Sequence, residues 1–204
     1  MPTKPVSIII PWIRKEKFER CIGCLISLWD LPETYEIVAE EDKERIGCPK
    51  MVKKLTDQTK YDLVMFLGDD TVPRAGIFHN TLKAMKEFEG EWGLVGINDG
   101  FHNGKHHATH WLAHKKLLPH LDGEFFHTGY WHCFCDNELI MRCKELNRYV
   151  FAMEARLLHD NPIVLRSTLD DDPDYKRVYS VKWMQHDKWL FIRRRNNGWH
   201  SNLG

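Results

Sequence analysis

Short apolar runs alternate with segments of helical periodicity over the first two thirds of the chain. Residues 6–11 and 61–67 are almost continuously apolar, as the buried strands of a parallel sheet are. Residues 17–29 repeat apolar side chains every three or four positions, which predicts a helix that Leu31-Pro32 ends. This order predicts strand–helix–strand units and a doubly wound sheet, in which ligands bind beyond the carboxyl ends of the strands.

The same alternation continues to about residue 160. Further strands are predicted at 35–39, 94–97, 149–152 and 155–158, and further helices at 50–59, 77–88 and 136–146. Residues 101–107 are polar and predict a loop, whereas 108–118 favour neither helix nor strand. From residue 162 the chain is first charged and then aromatic and basic. We therefore expect one domain over residues 1–160 and an extension over 161–204 that packs on it or covers it.

Length and charge limit the classes of partner. The 204 residues suffice for one substantial core. Because 29 Lys and Arg balance 29 Asp and Glu, the whole-chain charge does not point to a polyanion or an anionic membrane, and any charged site must be local. No apolar run approaches the ~20 residues that span a bilayer, and Lys4 leads directly into a strand pattern without a signal-peptide core. These features predict a cytoplasmic protein without a transmembrane segment.

The six cysteines leave two structural interpretations open. Cys21 and Cys24 form a CxxC pair, and Cys133 and Cys135 form a CxC pair beside His132, so a structural zinc site can be built from them. The first pair lies in an apolar helical stretch, however, where small thiols pack as hydrophobic side chains. The core interpretation is favoured for that pair, and reduced thiols are expected throughout.

Acidic and amide side chains follow three of the predicted strands. Glu40, Glu41 and Asp42 follow the second strand, Asp69 and Asp70 follow the strand at 61–67, and Asn98-Asp99 follow the strand at 94–97. Paired carboxylates at such a position suit Mg²⁺ or Mn²⁺, which prefer oxygen ligands and substrate phosphates. Gly-Asp-Asp is also an ordinary turn sequence, so the residues alone leave both interpretations open.

Several motifs occur in the order found in one enzyme family. The chain resembles the inverting glycosyltransferases of family 2 in the following segments: VSIIIP at 6–11, EIVAEED at 36–42, FLGDD at 66–70 for the D-x-D motif, GEFF at 123–126 for the GGF turn, DNEL at 136–139 followed by Arg142 for the ED-x-EL-x-x-R helix, and Glu154-Ala155 with His159 for the PEA segment and later histidine. The resemblance covers most of residues 6–160. It departs from the family at Gly68, at 40–43 and at Cys135, where acidic or DDGS residues are usual.

The resemblance implies a fold, an activity and a set of site residues. The fold would be α/β of the GT-A (Rossmann-like) type, with a mixed, mainly parallel sheet flanked by helices. The activity would be metal-dependent transfer of a sugar from a nucleotide diphosphate-sugar to an acceptor hydroxyl, with inversion. Asp70 and His159 would bind Mn²⁺ or Mg²⁺, and Asp136 would be the general base. The donor would contact Pro11, Glu40, Glu41, Asp42, Asp69, Asn98 and Asp99. The acceptor stays open among a glycan, a lipid-linked sugar, a protein and a nucleic acid.

Structural roles compete with each of these assignments. Asp136 can cap a helix, and Glu138 can pair with Arg142 on a helix surface. The histidines between 102 and 114 are interpreted as a solvated or acceptor-lining loop. Arg193 to Arg195 with Trp189 and Trp199 can instead contact a nucleic acid. A sugar nucleotidyltransferase is disfavoured because residues 11–15 lack glycine, and a non-catalytic carbohydrate- or zinc-binding module remains the alternative from another class.

Overall fold

The computed structural model describes residues 4–100, 107–165 and 172–199. Its strands are β1 (Val6–Trp12), β2 (Tyr35–Glu41), β3 (Leu63–Phe66), β4 (Thr71–Pro73), β5 (Leu94–Asn98), β6 (Trp111–His114) and β7 (Tyr149–His159). Its α-helices are α1 (Lys15–Ile26), α2 (Cys48–Gln58), α3 (Ile77–Met85), α4 (Cys135–Glu145), α5 (Pro162–Leu165), α6 (Pro173–Val178) and α7 (Val181–Asn196). Short 3₁₀ helices span Glu89–Glu91 and Lys115–His120.

The described strands form one sheet in the order β2-β1-β3-β6-β5-β7-β4. β1 is parallel to β2 and β3, and β5 is parallel to β7, whereas β6 and β4 run antiparallel to their neighbours. The predicted mixed, mainly parallel sheet flanked by helices is therefore confirmed. Because the parallel strands end at one edge of the sheet, the segments after β1, β2 and β3 meet there.

Two hydrophobic clusters hold helices to the sheet. Ile8 and Ile10 of β1 pack in one cluster with α1 and α3, whereas Ile9 packs in the other with α2 and α4. Successive strand residues point to opposite faces, so a strand covered on both faces must be apolar at consecutive positions. Truncating Ile9 to alanine would remove about 2–5 kcal/mol of stability. The continuous apolar runs of the sequence are explained by this double burial.

The structure differs from the predicted elements at residues 149–158 and settles the segment 108–118, which the sequence left open. The strands expected at 149–152 and 155–158 are one strand, β7, with an irregularity where it pairs with Ile97 and Asn98. Within 108–118 the chain forms β6 and then a 3₁₀ helix, so His110 and His114 do not share a helical face. The loop expected at 101–107 lies outside the described residues except for His107. None of the described helices is long and apolar enough to cross a bilayer.

The described residues after position 161 are tied to the rest of the chain by buried polar contacts. Asp187 of α7 is fully buried and accepts backbone N–H groups of Trp131, His132 and Cys133 at 2.9, 2.9 and 2.7 Å. Arg194 donates to both carboxylate oxygens of Glu138 at 2.8 and 2.7 Å. These contacts fix which face of α7 points inward.

Candidate functional site

A cavity of about 410 Å³ lies at the sheet edge where β1 and β3 end. The segments after those strands form its floor, together with residues 107–110 and the end of β7. The turn that leads into α4 and residues of α6 and α7 form its walls. Ligand sites of α/β proteins lie at this edge, and the volume is that of a small-molecule pocket.

Asp70, His110 and His159 converge on the floor of this cavity. One ligand atom from each lies within 4.8 Å of those of the other two, and all three residues are buried. Strand pairing explains the convergence. β3 pairs Phe66 with Trp111, which places His110 beside the segment that follows β3, and β4 pairs Thr71 with His159, which places His159 beside Asp70.

Neighbouring charges and burial shift the pKa values of these three side chains in different directions. Burial, with the positive charge of His159 added to it, lowers the pKa of His110 to about 3, so its ring is neutral. Burial also opposes the charge on His159, but Asp70 and Asp99 outweigh it and raise the pKa of His159 to about 9. The pKa of Asp70 lies well below its usual range: burial opposes ionisation, but His159 and Arg14 outweigh it. In the protein without metal, Asp70 and His159 therefore form an ion pair.

This donor set suits a divalent transition-metal ion. Carboxylate and water oxygens satisfy Mg²⁺, whereas imidazole nitrogen is a ligand for first-row transition metals, so one carboxylate with two imidazoles suits an ion of the second kind better than Mg²⁺. Nδ1 of His159 lies 3.3 Å from Asp99, and Nδ1 of His110 lies 2.9 Å from the hydroxyl of Thr109. Partners of this kind orient a ligating ring and select its tautomer.

His110 is a potential metal ligand that the sequence did not predict. The interpretation of the histidine series as a solvated loop is wrong for His110, which is 3% exposed and stacks on Phe66 at 5.6 Å between ring centroids. His110 lines the cavity, and contact between it and an acceptor stays a prediction. His102 and His106 lie outside the described residues. In the described ranges, the one group of three potential ligands contains no cysteine. Cys21 is buried in the core, and the thiols of Cys133 and Cys135 donate to backbone carbonyls.

Asp69 faces away from this cluster and fastens two loops together. Its carboxylate accepts the backbone N–H groups of Ile13 and Arg14 at 2.9 Å each, and the guanidinium of Arg14 at 2.7 Å. The same guanidinium lies 3.9 Å from Asp70. Burial opposes the charge on Arg14, but the two carboxylates outweigh it and raise the pKa of Arg14. A permanent cation therefore stands at the floor of the cavity.

Residues of the C-terminal region cover Asp70. The hydroxyl of Tyr175 donates to Oδ2 of Asp70 at 2.5 Å, and the Tyr175 ring lies 3.9 Å from the guanidinium carbon of Arg14. Asp172 accepts from Nε of Arg14 at 2.7 Å. The sequence did not predict a role for Tyr175 or Asp172, because each contacts a residue more than 100 positions away in the sequence.

Asp136 lines the cavity from the first turn of α4. Phe134, with φ of 65°, precedes the helix, so Asp136 lies inside it and is not the residue at its N-cap. One carboxylate oxygen accepts from the Asn137 N–H at 2.9 Å, and the other lies 2.8 Å from Nε2 of His107. Burial opposes ionisation, but these contacts outweigh it and lower the pKa of Asp136, whereas the pKa of His107 is raised because Asp136 outweighs its burial.

Glu138 lies elsewhere, and its interpretation as a surface side chain is wrong. It is 3% exposed and outside the cavity lining. The predicted contact with Arg142 exists at 3.2 Å, but Glu138 also accepts from Tyr130 and Arg194. Its role is to hold α4 to α7.

The remaining donor-binding residues predicted from the sequence divide between the cavity and the surface. Pro11 and Asp42 line the cavity, and Asp42 accepts the N–H groups of Ile46 and Gly47. Asp99 is buried against His159. Like Asp99, three further side chains lie outside the described lining: Glu40, paired with Lys54, Glu41, near Lys43, and Asn98, which donates to the Met153 carbonyl. Contact between any of these residues and a donor stays a prediction.

Solved structures show the same fold. The mannosyltransferase PcManGT from Pyrobaculum calidifontis, solved with GDP-Man and Mn²⁺, aligns with a TM-score of 0.62 at 14% identity, over 92% of this chain and 64% of that chain. Two structures of S. aureus TarS align with TM-scores of 0.61 over 98% of this chain, at 15% and 14% identity, and over 75% and 46% of their own chains. No family model and no curated protein matches the sequence. The chain has the GT-A glycosyltransferase fold, and it spans less than two thirds of the PcManGT chain.

Proposed function

We propose that this chain transfers a sugar from a nucleotide diphosphate-sugar to an acceptor hydroxyl, with inversion and with a divalent metal ion. The observation that carries the proposal is the buried cluster of Asp70, His110 and His159 at the floor of the cavity. A structural role does not require a carboxylate and two imidazoles to converge where strand ends open into a pocket. The PcManGT complex with GDP-Man and Mn²⁺ supports the choice of donor and ion.

The metal would be held by Asp70, His110 and His159, and its chemistry when bound is to offset the charge of the diphosphate leaving group. Arg14 supports the same role from the other side of Asp70, since its guanidinium remains charged and is held in place by Asp69. Tyr175 is hydrogen-bonded to Asp70, and Asp172 is hydrogen-bonded to Arg14. Some of these hydrogen bonds must break before a metal ion and a diphosphate can bind to Asp70 and Arg14.

Asp136 is the group that would take the acceptor's proton. The acceptor oxygen bonds to the anomeric carbon as the bond from that carbon to the diphosphate oxygen breaks, so the nucleoside diphosphate leaves with the electron pair. The hydroxyl proton passes to the Asp136 carboxylate, which His107 holds ionised. A carboxylate can act in this way when it is within hydrogen-bond reach of the nucleophile.

A thermal-shift screen of nucleoside diphosphates tests the proposal. We expect a larger rise in melting temperature with Mn²⁺ than with EDTA for one nucleotide base, because saturating a site stabilises the folded state. Asp70→Ala should remove the increment that depends on metal. Exposed Asp57→Ala, on α2 and away from the cavity, is the matched control and should retain it. An increment that survives Asp70→Ala would contradict the assignment.

A further inference from the structure

The last helix, α7, exposes large apolar side chains that nothing in the described chain covers. Val181 is 72% exposed and Trp189 is 73% exposed, and Met184 and Ile192 are also exposed. With Lys188 and Arg195 they recur at spacings of three and four residues, so they lie along one side of the helix. We call this side the α7 face. The helix has 16 residues and is about 24 Å long.

All exposed charges on α7 are positive. They are Lys182, Lys188, Arg193 and Arg195. None of the four forms an ion pair with an acid in the described residues, and the single acid of the helix, Asp187, is buried against the backbone of residues 131–133. A chain with no net charge therefore carries a local basic surface, interleaved with apolar side chains.

The α7 face cannot turn inward. Asp187 and Arg194 lie on the opposite side of the helix and are fully engaged with the residues before α4 and with Glu138. Rotating α7 to bury Trp189 would strip both of these buried charges of their partners, which is strongly unfavourable. The exposure is thus a fixed property of the fold.

We propose that the α7 face docks the protein on an anionic membrane surface. A helix lying in a bilayer interface inserts tryptophan and aliphatic side chains into the boundary of the headgroups, while lysine and arginine remain with the phosphates. Trp189 and Ile192 are the side chains that would insert, and the four basic residues are those that would contact the phosphates. Attraction to acidic lipids amounts to roughly a five-fold gain in partition for each basic residue at the surface.

Two other occupants fit this face less well. A nucleic acid would need the basic and aromatic residues near the C-terminus to be free, but Arg194 and Trp199 are buried, and valine and isoleucine offer no ring on which a base can stack. A second copy of the chain would pair like surfaces about a two-fold axis and would bring four basic groups of each copy together. An anionic lipid surface is complementary to both the charge and the apolar residues.

The docking surface borders the cavity. Met184 is exposed on the α7 face and also lines the cavity, as does its neighbour Trp183. A docked chain would therefore hold the edge of the cavity close to the lipid headgroups. Docking does not require sugar transfer, so it is tested without donor or metal.

Vesicle co-sedimentation of the full chain in EDTA tests the proposal. Vesicles of phosphatidylcholine with about 30% phosphatidylserine should bind the protein at least ten-fold more tightly than phosphatidylcholine alone, and added salt should weaken binding. Trp189→Ala should reduce partition by roughly ten-fold. Trp29→Ala is the matched control, because Trp29 is 75% exposed elsewhere on the molecule, and it should leave binding unchanged.

A charge-reversal pair separates this face from general electrostatic attraction. Lys188→Glu with Arg195→Glu should weaken binding by more than ~25-fold. Lys83→Glu with Lys86→Glu makes the same change in net charge on exposed lysines near the end of α3 and should have little effect. The proposal is overturned by equal losses from the two double variants, by no binding to acidic vesicles at low salt, or by a dimer or an oligonucleotide complex that depends on Trp189 in place of lipid binding.

Discussion

Glu138 and Asp70 are both buried carboxylates, but they have different partners. Arg194 donates to both oxygens of Glu138, and Tyr130 donates to one of them, at 2.7 to 2.8 Å. Asp70 receives one short hydrogen bond from Tyr175, lies 3.5 Å from His159 and borders a cavity. Burial alone does not identify a functional acid. A carboxylate saturated by arginine holds the fold together, whereas one that faces imidazoles and open space is available to a ligand.

The largest effect is expected at Glu138. Glu138→Gln removes the buried charge partner of Arg194 and leaves only the partly exposed Asp122, 3.2 Å away, and breaking a buried pair costs about 3–5 kcal/mol. The free energy of unfolding from urea titration measures it. Asp70→Asn, measured in EDTA, should lose less, because Asp69 still neutralises Arg14 and because His159, unlike an arginine, can lose its proton when its partner is removed. Equal losses at the two positions would remove the distinction between a structural and an available carboxylate.

The pH dependence of the metal-free protein is the next largest effect. Because the pKa of His159 is raised to about 9 in the folded state from about 6.5 unfolded, its stabilising contribution is complete below pH 6.5 and is lost as pH rises through 9. In EDTA the free energy of unfolding should fall by at most about 3 kcal/mol over that window. Unfolding curves of the parent protein and His159→Gln at several pH values check this, and the variant should lack the fall.

The Asp136 prediction separates catalysis from folding. Asp136→Asn keeps the shape of the side chain but cannot accept a proton, so sugar transfer should fall by ~10²-fold or more while nucleotide binding stays near the parental level. His107→Gln removes the group that lowers the pKa of Asp136. Since the base must be ionised, the acidic limb of the rate profile should move to higher pH in that variant. If His107→Gln is as inactive as Asp136→Asn, the base is His107 or the pair.

The smallest effects distinguish the acidic residues after β2. Asp42→Ala removes acceptors from the N–H groups of Ile46 and Gly47 and should cost about 1 kcal/mol of stability. It should also weaken nucleotide binding, because Asp42 lines the cavity. Glu40→Ala breaks surface contacts with Lys54 and Gln58 and should change both quantities little. Calorimetric titration with a nucleoside diphosphate compares the two variants. Equal losses of nucleotide affinity would indicate that Glu40 also contacts the nucleotide.

The sequence was most informative where one segment carries its own signal. The apolar run before Gly68 predicted a buried strand that leads into Asp69 and Asp70, and the resemblance added His159, the last residue of β7. His110 was not predictable in this way, because its place in the cluster depends on the antiparallel pairing of β3 with β6. A short strand of four residues after a polar stretch gives no periodicity from which such pairing can be inferred.

Contacts made by the C-terminal region also could not be predicted from the sequence. Tyr175 reaches Asp70 across 105 positions, and Arg194 reaches Glu138 across 56. Local patterns predict neither contact, since each depends on how a helix docks on the finished sheet. The pairing of Glu138 with Arg142 was visible because it lies within one helical turn, but the burial that makes Glu138 structural was not.

Binding of Mn²⁺ to His110 variants is the most direct test of a metal site formed by Asp70, His110 and His159. The structure alone places His110 beside the other two side chains. Free Mn²⁺ can be followed by electron paramagnetic resonance during titration, with and without a nucleoside diphosphate. His114→Ala, four residues away at the half-buried end of β6 and outside the group of potential ligands, is the matched control. We expect the parent and His114→Ala to bind one Mn²⁺ per chain more tightly with nucleotide, and His110→Ala to bind it at least ten-fold more weakly. Equal Mn²⁺ affinity in the His110→Ala and His114→Ala variants would contradict a metal site formed by Asp70, His110 and His159.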